Sequence, residues 1–162
     1  MAVDISPVTG QLFYSGSWAE IKEILRTLNI GDGKLAQVTQ EMTNNYQEMV
    51  DREIDALLEP LYHVPLRAMN QVQPDGVTRK VFPGDIRRLA KYWVSGYMLL
   101  SQFQNLSQNV TDQAQNYIED AKKAMYSISR WNHRIPGQER KSSLSRTMPP
   151  NMQPSSIPEP NF

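Results

Sequence analysis

The sequence predicts an all-α fold: a four-helix bundle-like body, a short loop or hairpin between its second and third helices, and an extended Pro-rich C-terminal arm. Three observations predict it. Apolar residues recur every three or four positions in four separate stretches before residue 131. Capping and turn residues separate those stretches. Six of the 11 Pro lie beyond residue 135, where the apolar period stops.

The first predicted helix opens at Ser17-Trp18-Ala19-Glu20. A Ser N-cap followed three residues later by Glu satisfies two orphan backbone donors. Its apolar side is Ile21, Ile24, Leu25 and Leu28, and Asn29-Ile-Gly-Asp-Gly33 stops it. The second helix is long. Leu35, Val38, Met42, Tyr46, Met49, Val50, Ile54, Leu57, Leu58 and Leu61 keep a helical spacing, and Pro60 weakens the last turn. Tyr62-His-Val-Pro65 is expected to be extended.

Pro74-Asp75-Gly76 is a turn signal between Leu66–Val72 and Val77–Phe82, which fits a short hairpin or an ordered loop. The third helix starts near Pro83-Gly84-Asp85, with Ile86, Leu89, Ala90, Trp93, Tyr97, Leu100 and Phe103 on its apolar side. The Asn105–Asn109 stretch breaks it. Thr111 or Asn109 caps a fourth helix, whose face is Ala114, Tyr117, Ile118, Ala121, Met125 and Ile128. The body is therefore expected over 1–131 and the arm over 132–162. Alone, the arm buries too little apolar surface to offset its ordering entropy.

Composition narrows the function. The chain has 162 residues, a length suited to one domain. Its 17 Lys+Arg balance 17 Asp+Glu, unlike a generally basic nucleic-acid coat. With no Cys, disulfide scaffolds, Cys-containing zinc sites and Cys nucleophiles are excluded. His63 and His133 are the only His, too few for a His-rich metal site. No apolar run approaches a membrane span. MAVDISPVTG lacks the basic and apolar regions of a signal peptide, so a soluble, intracellularly made protein is expected.

The candidate chemistry is sparse. Gly31-Asp-Gly-Lys34 has Leu28 and Leu35 where a phosphate loop needs Gly and Ser or Thr, so it reads as a helix–helix turn. Asp51, Asp55 and Glu59 repeat at one-turn spacing within an acidic helix two. Paired carboxylates serve acid–base chemistry or hold a divalent cation, but they more commonly form a solvated or subunit-facing strip. Arg79, Lys80, Arg87, Arg88 and Lys91 are the basic counterpart. A solvated face pairing with helix two, contact with a neighbouring subunit, and DNA phosphate contact all fit them. No nucleophile has a partner at recognisable spacing, no cofactor is expected, and the chain reads as a non-enzyme. In the arm, Ile135, Leu144, Met148, Met152, Ile157 and Phe162 are isolated hydrophobes that suit docking into pockets along a groove.

The stretch Met49-Val-Asp-Arg-Glu-Ile-Asp-Ala-Leu-Leu-Glu-Pro-Leu-Tyr-His-Val-Pro-Leu66 resembles the head-to-tail connector, or adaptor, proteins of long-tailed bacteriophages. These carry a long helix ending in Ile-Asp-x-x-Leu, then Tyr-x-x-Pro-Leu, a Pro-containing loop, and a helix of the type Ile-x-x-Leu-Ala-x-Tyr. Here that helix is Pro83-Gly-Asp-Ile-Arg-Arg-Leu-Ala-Lys-Tyr92, and the Ala- and Tyr-rich last helix is Ala114 to Ile128. The resemblance covers about residues 17–131.

It implies a virion structural protein of the phage neck, made in the host cytoplasm. Such a protein forms a homo-oligomeric ring, typically a dodecamer, between the portal protein and the next neck or tail protein. DNA passes through the ring without sequence-specific binding and no membrane is involved. In that reading Asp51, Asp55, Glu59, Arg87, Arg88 and Lys91 lie at subunit interfaces. Arg79 and Lys80 line the DNA channel, and the six arm hydrophobes bind the portal. The alternatives are a helical DNA-binding regulator using Arg87, Arg88 and Lys91, and a carboxylate-bound metal enzyme at Asp51 and Asp55.

Overall fold

The computed structural model describes residues 12–28, 30, 32–103, 107–130 and 134–141. Among these the chain is mostly helical. Its elements are α1 (Trp18–Thr27), α2 (Asp32–Leu35), α3 (Gln40–Leu58), β1 (Met69–Val72), β2 (Thr78–Val81), α4 (Gly84–Gln102) and α5 (Gln108–Arg130). No helix among the described residues is long and apolar enough to cross a membrane.

Three starts and stops differ from the sequence expectation, each for a local reason. The single long second helix divides. A short α2 ends at Leu35, and Thr39 restarts the chain as the N-cap of α3, its side chain accepting the Met42 N–H at 3.2 Å. The end of that helix comes early: α3 stops at Leu58, two residues before Pro60 and short of Leu61. The last helix begins before Asn109 and Thr111. The Ser107 carbonyl accepts from Val110 and Thr111 at 3.0 and 3.3 Å, so Ser107 opens α5.

α4 sits at the centre. Ile86, Ala90, Trp93, Val94, Ser95, Gly96, Met98 and Leu99 are all buried along it. α3, α1 and α5 pack around this helix. Against α5 the approach is close at Gly96, where a Cβ would lie 2.6 Å from Ile118 Cγ1 and 2.8 Å from the Ala114 carbonyl. Burying side chains such as Trp93, Ile54, Leu58 and Met125 gives about 1.5–3 kcal/mol each and holds the helices together.

The positions that carry the adaptor resemblance are largely core positions. Ile54, Leu58, Tyr62, Leu66, Ile86 and Ala90 are buried. The pattern therefore encodes packing, and its turn runs through a cis Val64–Pro65 bond.

Between α3 and α4 the chain forms a hairpin. β1 and β2 are antiparallel, with Met69 opposite Val81 and Val72 opposite Thr78. Gly76 takes a φ of +78° in the turn, a region that only glycine enters without cost. Asp75 accepts the Val77 N–H and pairs with Arg79 at 2.9 Å. Among the described residues the two strands pack on each other and on none of the helices.

Candidate functional site

The charged residues singled out in the sequence separate into two acidic nodes. The first joins α1 to α4. Glu20 caps α1 by accepting the Ser17 N–H at 2.9 Å, and its other oxygen takes Arg87 at 2.5 Å and Lys91 at 2.6 Å. All three side chains are about three-quarters buried. Burial alone would raise the Glu20 pKa. The Lys91 and Ser17 hydrogen bonds and the Arg87 charge outweigh it and hold the carboxyl below its usual value.

The second node joins α3 to the segment before α1. The Tyr14 backbone N–H donates to both Asp51 oxygens at 3.3 and 3.2 Å. The Tyr14 hydroxyl donates to Asp55 at 2.5 Å and accepts the Leu66 N–H at 2.7 Å. One tyrosine thus pins three stretches of chain: its own, α3 and the approach to β1. Phe82 closes on its ring edge-to-face at 4.7 Å. Beside it, buried Gln47 donates to Ser15 Oγ and the Gly16 carbonyl, both at 2.7 Å.

Among the described residues no cation pairs with Asp51 or Asp55. Burial pushes Asp51 up to about 7, with Asp55 and Glu48 adding repulsion against the relief from the Tyr14 N–H. Burial also raises Asp55, against the opposing effect of the Tyr14 hydroxyl. Burial first, then the Asp55 hydrogen bond, pushes the Tyr14 phenol far above its ordinary range.

These positions redraw the charged strips expected from the sequence. Asp51 and Asp55 turn toward the chain's own residue 14, and Arg87 and Lys91 toward its own residue 20. Neither pair joins α3 to α4: Tyr14, ahead of α1, takes the first and Glu20, on α1, takes the second. Glu59 and Arg88 are the members left exposed. Of the other acids on α3, Glu53 faces inward. It accepts from the Tyr97 hydroxyl at 3.1 Å and lies 3.7 Å from Lys122. Among the described residues no group of three or more His, Cys, Asp or Glu side chains converges. On the hairpin, Arg79 is tied to Asp75, whereas Lys80 is exposed.

The boundary between body and arm also moves. Residues 134–141 fold back as a strap along the chain that follows α3. Ile135 is buried in the core, so it is not available to the portal as expected from the sequence. Its N–H donates to the Tyr62 hydroxyl at 3.1 Å. Gln138 exchanges two hydrogen bonds with the Arg67 backbone at 2.8 and 2.7 Å, and the Lys141 N–H donates to the Leu61 carbonyl at 2.9 Å. Pro136-Gly137 makes the turn that allows this, with Gly137 at φ +71° against Met69. The other portal-contact candidates, Leu144, Met148, Met152, Ile157 and Phe162, lie outside the described residues.

Sequence reasoning missed Tyr14 and the Tyr62 strap site. The available signals were modest: the aromatic pair Phe13-Tyr14 just before a helix cap, and one apolar residue, Ile135, directly before Pro136.

No family model, curated protein or solved structure matches the chain.

Proposed function

We propose that the protein is a structural adaptor of a phage neck: a four-helix bundle-like protomer that assembles into a ring, joins the portal to the tail or next neck protein, and extends the DNA channel. It acts in the virion and carries out no catalysis. The motif order over residues 17–131 supplies the reading.

The observation that carries it furthest is the hairpin. A two-stranded ribbon is marginal by itself in water, yet among the described residues no helix packs on β1 or β2. Val72 and Val77 are 68% and 51% exposed. A ribbon that meets the body where Met69 lies against Gly137 but leaves Val72 and Val77 exposed suits contact with a neighbour in a ring. Lys80 on the same ribbon would then face the lumen or the next protomer.

The arm supplies the second contact. It leaves the body from a fixed point, because the strap anchors the chain as far as Lys141. In this reading Leu144, Met148, Met152, Ile157 and Phe162 reach the portal.

The DNA-regulator alternative loses ground on one observation. Arg87 and Lys91, two of its three phosphate contacts, are committed to Glu20.

Negative-stain images of the full chain mixed with its portal test the proposal. Annular assemblies stacked on the portal are expected, and a mixture of bare portals and dispersed protomers would overturn it. Titration with duplex DNA at two salt concentrations tests the alternative, since a regulator requires tight, sequence-preferring binding that weakens with salt.

A further inference from the structure

A groove of about 450 Å³ lies where the first turns of α4, the last turns of α5 and the strap meet. That volume is in the range of pockets that hold small ligands or a few side chains. Its floor is apolar, built from Ile86, Leu89 and Ile128. Arg88 and Arg134 stand at its rim, both exposed, and neither side chain has an ion-pair partner among the described residues. Asp85 also lines the groove, which leaves it cationic by one charge. The neighbouring groove beside α1 shares Arg88, but its other two cations, Arg87 and Lys91, are already ion-paired with Glu20. An apolar floor with two unpaired guanidiniums selects a segment that offers a hydrophobe with a carboxylate close beside it.

The chain contains one such segment beyond the strap. Among residues 142–162 Glu159 is the sole acid, and it stands two residues from Ile157. In an extended chain that separation is about 6–7 Å. Leu144 and Met148 instead have Arg146 two residues away, which the rim arginines would repel. Pro158 and Pro160 restrict the segment's backbone, so docking costs less conformational entropy than for an ordinary chain. Reach is sufficient: Ile157 lies sixteen residues beyond Lys141, a span of up to about 50 Å.

We infer that the groove formed by α4, α5 and the strap is the docking site for the Ile157-Pro158-Glu159 segment of this chain. Ile157 fills the apolar floor and Glu159 bridges Arg88 and Arg134. The inference does not depend on ring formation, because the segment seats equally from the same copy or from a neighbour. Ile157 was assigned above to the portal, so portal binding would exchange one seat for the other.

Photo-crosslinking tests this in the full-length protein. Benzoylphenylalanine replaces Ser127, an exposed residue at the groove, and adducts are mapped by mass spectrometry. Adducts are expected to concentrate on residues 154–162, within one copy or between copies. Glu159→Arg should lower their yield about five- to tenfold. Adding Arg88→Glu and Arg134→Glu to that variant should restore the yield, with helical content unchanged by circular dichroism throughout. Adducts scattered along the chain, a yield indifferent to Glu159→Arg, or no recovery on charge reversal would overturn the inference. None of those results bears on whether rings form, so failure here is distinguishable from failure of the adaptor reading.

Discussion

Glu20 and the Asp51–Asp55 pair hold the same kind of joint in opposite electrostatic states. Each is a half-buried acid that ties a helix to a distant stretch of chain. Glu20 meets two cations and a backbone N–H. Asp51 and Asp55 meet a tyrosine and no cation among the described residues. Desolvation opposes ionisation at both, but only Glu20 has charges that repay it. Proximity of a carboxylate to a helix junction therefore does not decide whether its charge stabilises the fold; the partner does.

The comparison breaks most severely at Tyr14. Tyr14→Phe removes the donor to Asp55 and strands the buried Leu66 N–H, at an expected cost of about 2–3 kcal/mol in urea unfolding. Next comes Glu20→Gln. It keeps a capping acceptor but leaves Arg87 and Lys91 uncompensated, for about 1–2 kcal/mol, with the loss shrinking in high salt.

Asp51→Asn should act with the opposite sign. The amide oxygen still accepts the Tyr14 N–H while the buried charge disappears, giving about 1 kcal/mol of added stability at pH 8 and almost none at pH 4. Arg26→Ala, which breaks only the exposed pair with Glu23, should change stability by less than about 0.5 kcal/mol and serves as the baseline.

The pH profile sharpens the same contrast. Asp51 has a folded pKa raised from 3.8 to about 7. Its contribution is fully present below 3.8, declines as pH rises, and is lost above about 7, because in that interval the folded state holds a proton that the unfolded state has released. Glu20 is lowered from 4.5, so its contribution is present above 4.5 and is lost as pH falls through its folded value. The two groups therefore pull in opposite directions, Asp51 favouring lower pH and Glu20 higher pH. Unfolding midpoints from pH 3 to 9 should show the alkaline decline flattened in Asp51→Asn and the acid decline flattened in Glu20→Gln.

Much of the helical body is legible in the sequence. The buried positions of α3 and α5 recur every three or four residues, so periodicity reveals those helices without knowledge of their neighbours; α4 shows the same spacing and adds a continuous buried run from Trp93 to Gly96. The α1 cap and the hairpin turn are also local chemistry, readable from Ser17…Glu20 and Pro74-Asp75-Gly76. The nodes are not local. Tyr14 lies 37 and 41 residues from Asp51 and Asp55, and Glu20 lies 67 and 71 residues from Arg87 and Lys91. Nothing in the spacing of like charges along one helix says which distant residue will face them. The strap is hidden for a related reason. α5 stops at Arg130, ahead of Pro136, but the core accepts Ile135 because the Tyr62 hydroxyl and the Arg67 backbone supply partners for the turn. A proline marks where a helix cannot continue and does not mark where the packed body stops.

The central claim is assembly, and sedimentation velocity of the full chain with and without its portal tests it most directly. The adaptor account predicts a ring-sized species, formed or strongly promoted by the portal and weakened when residues 142–162 are removed. A protomer that stays monomeric at all concentrations, and sediments independently of the portal, would contradict it.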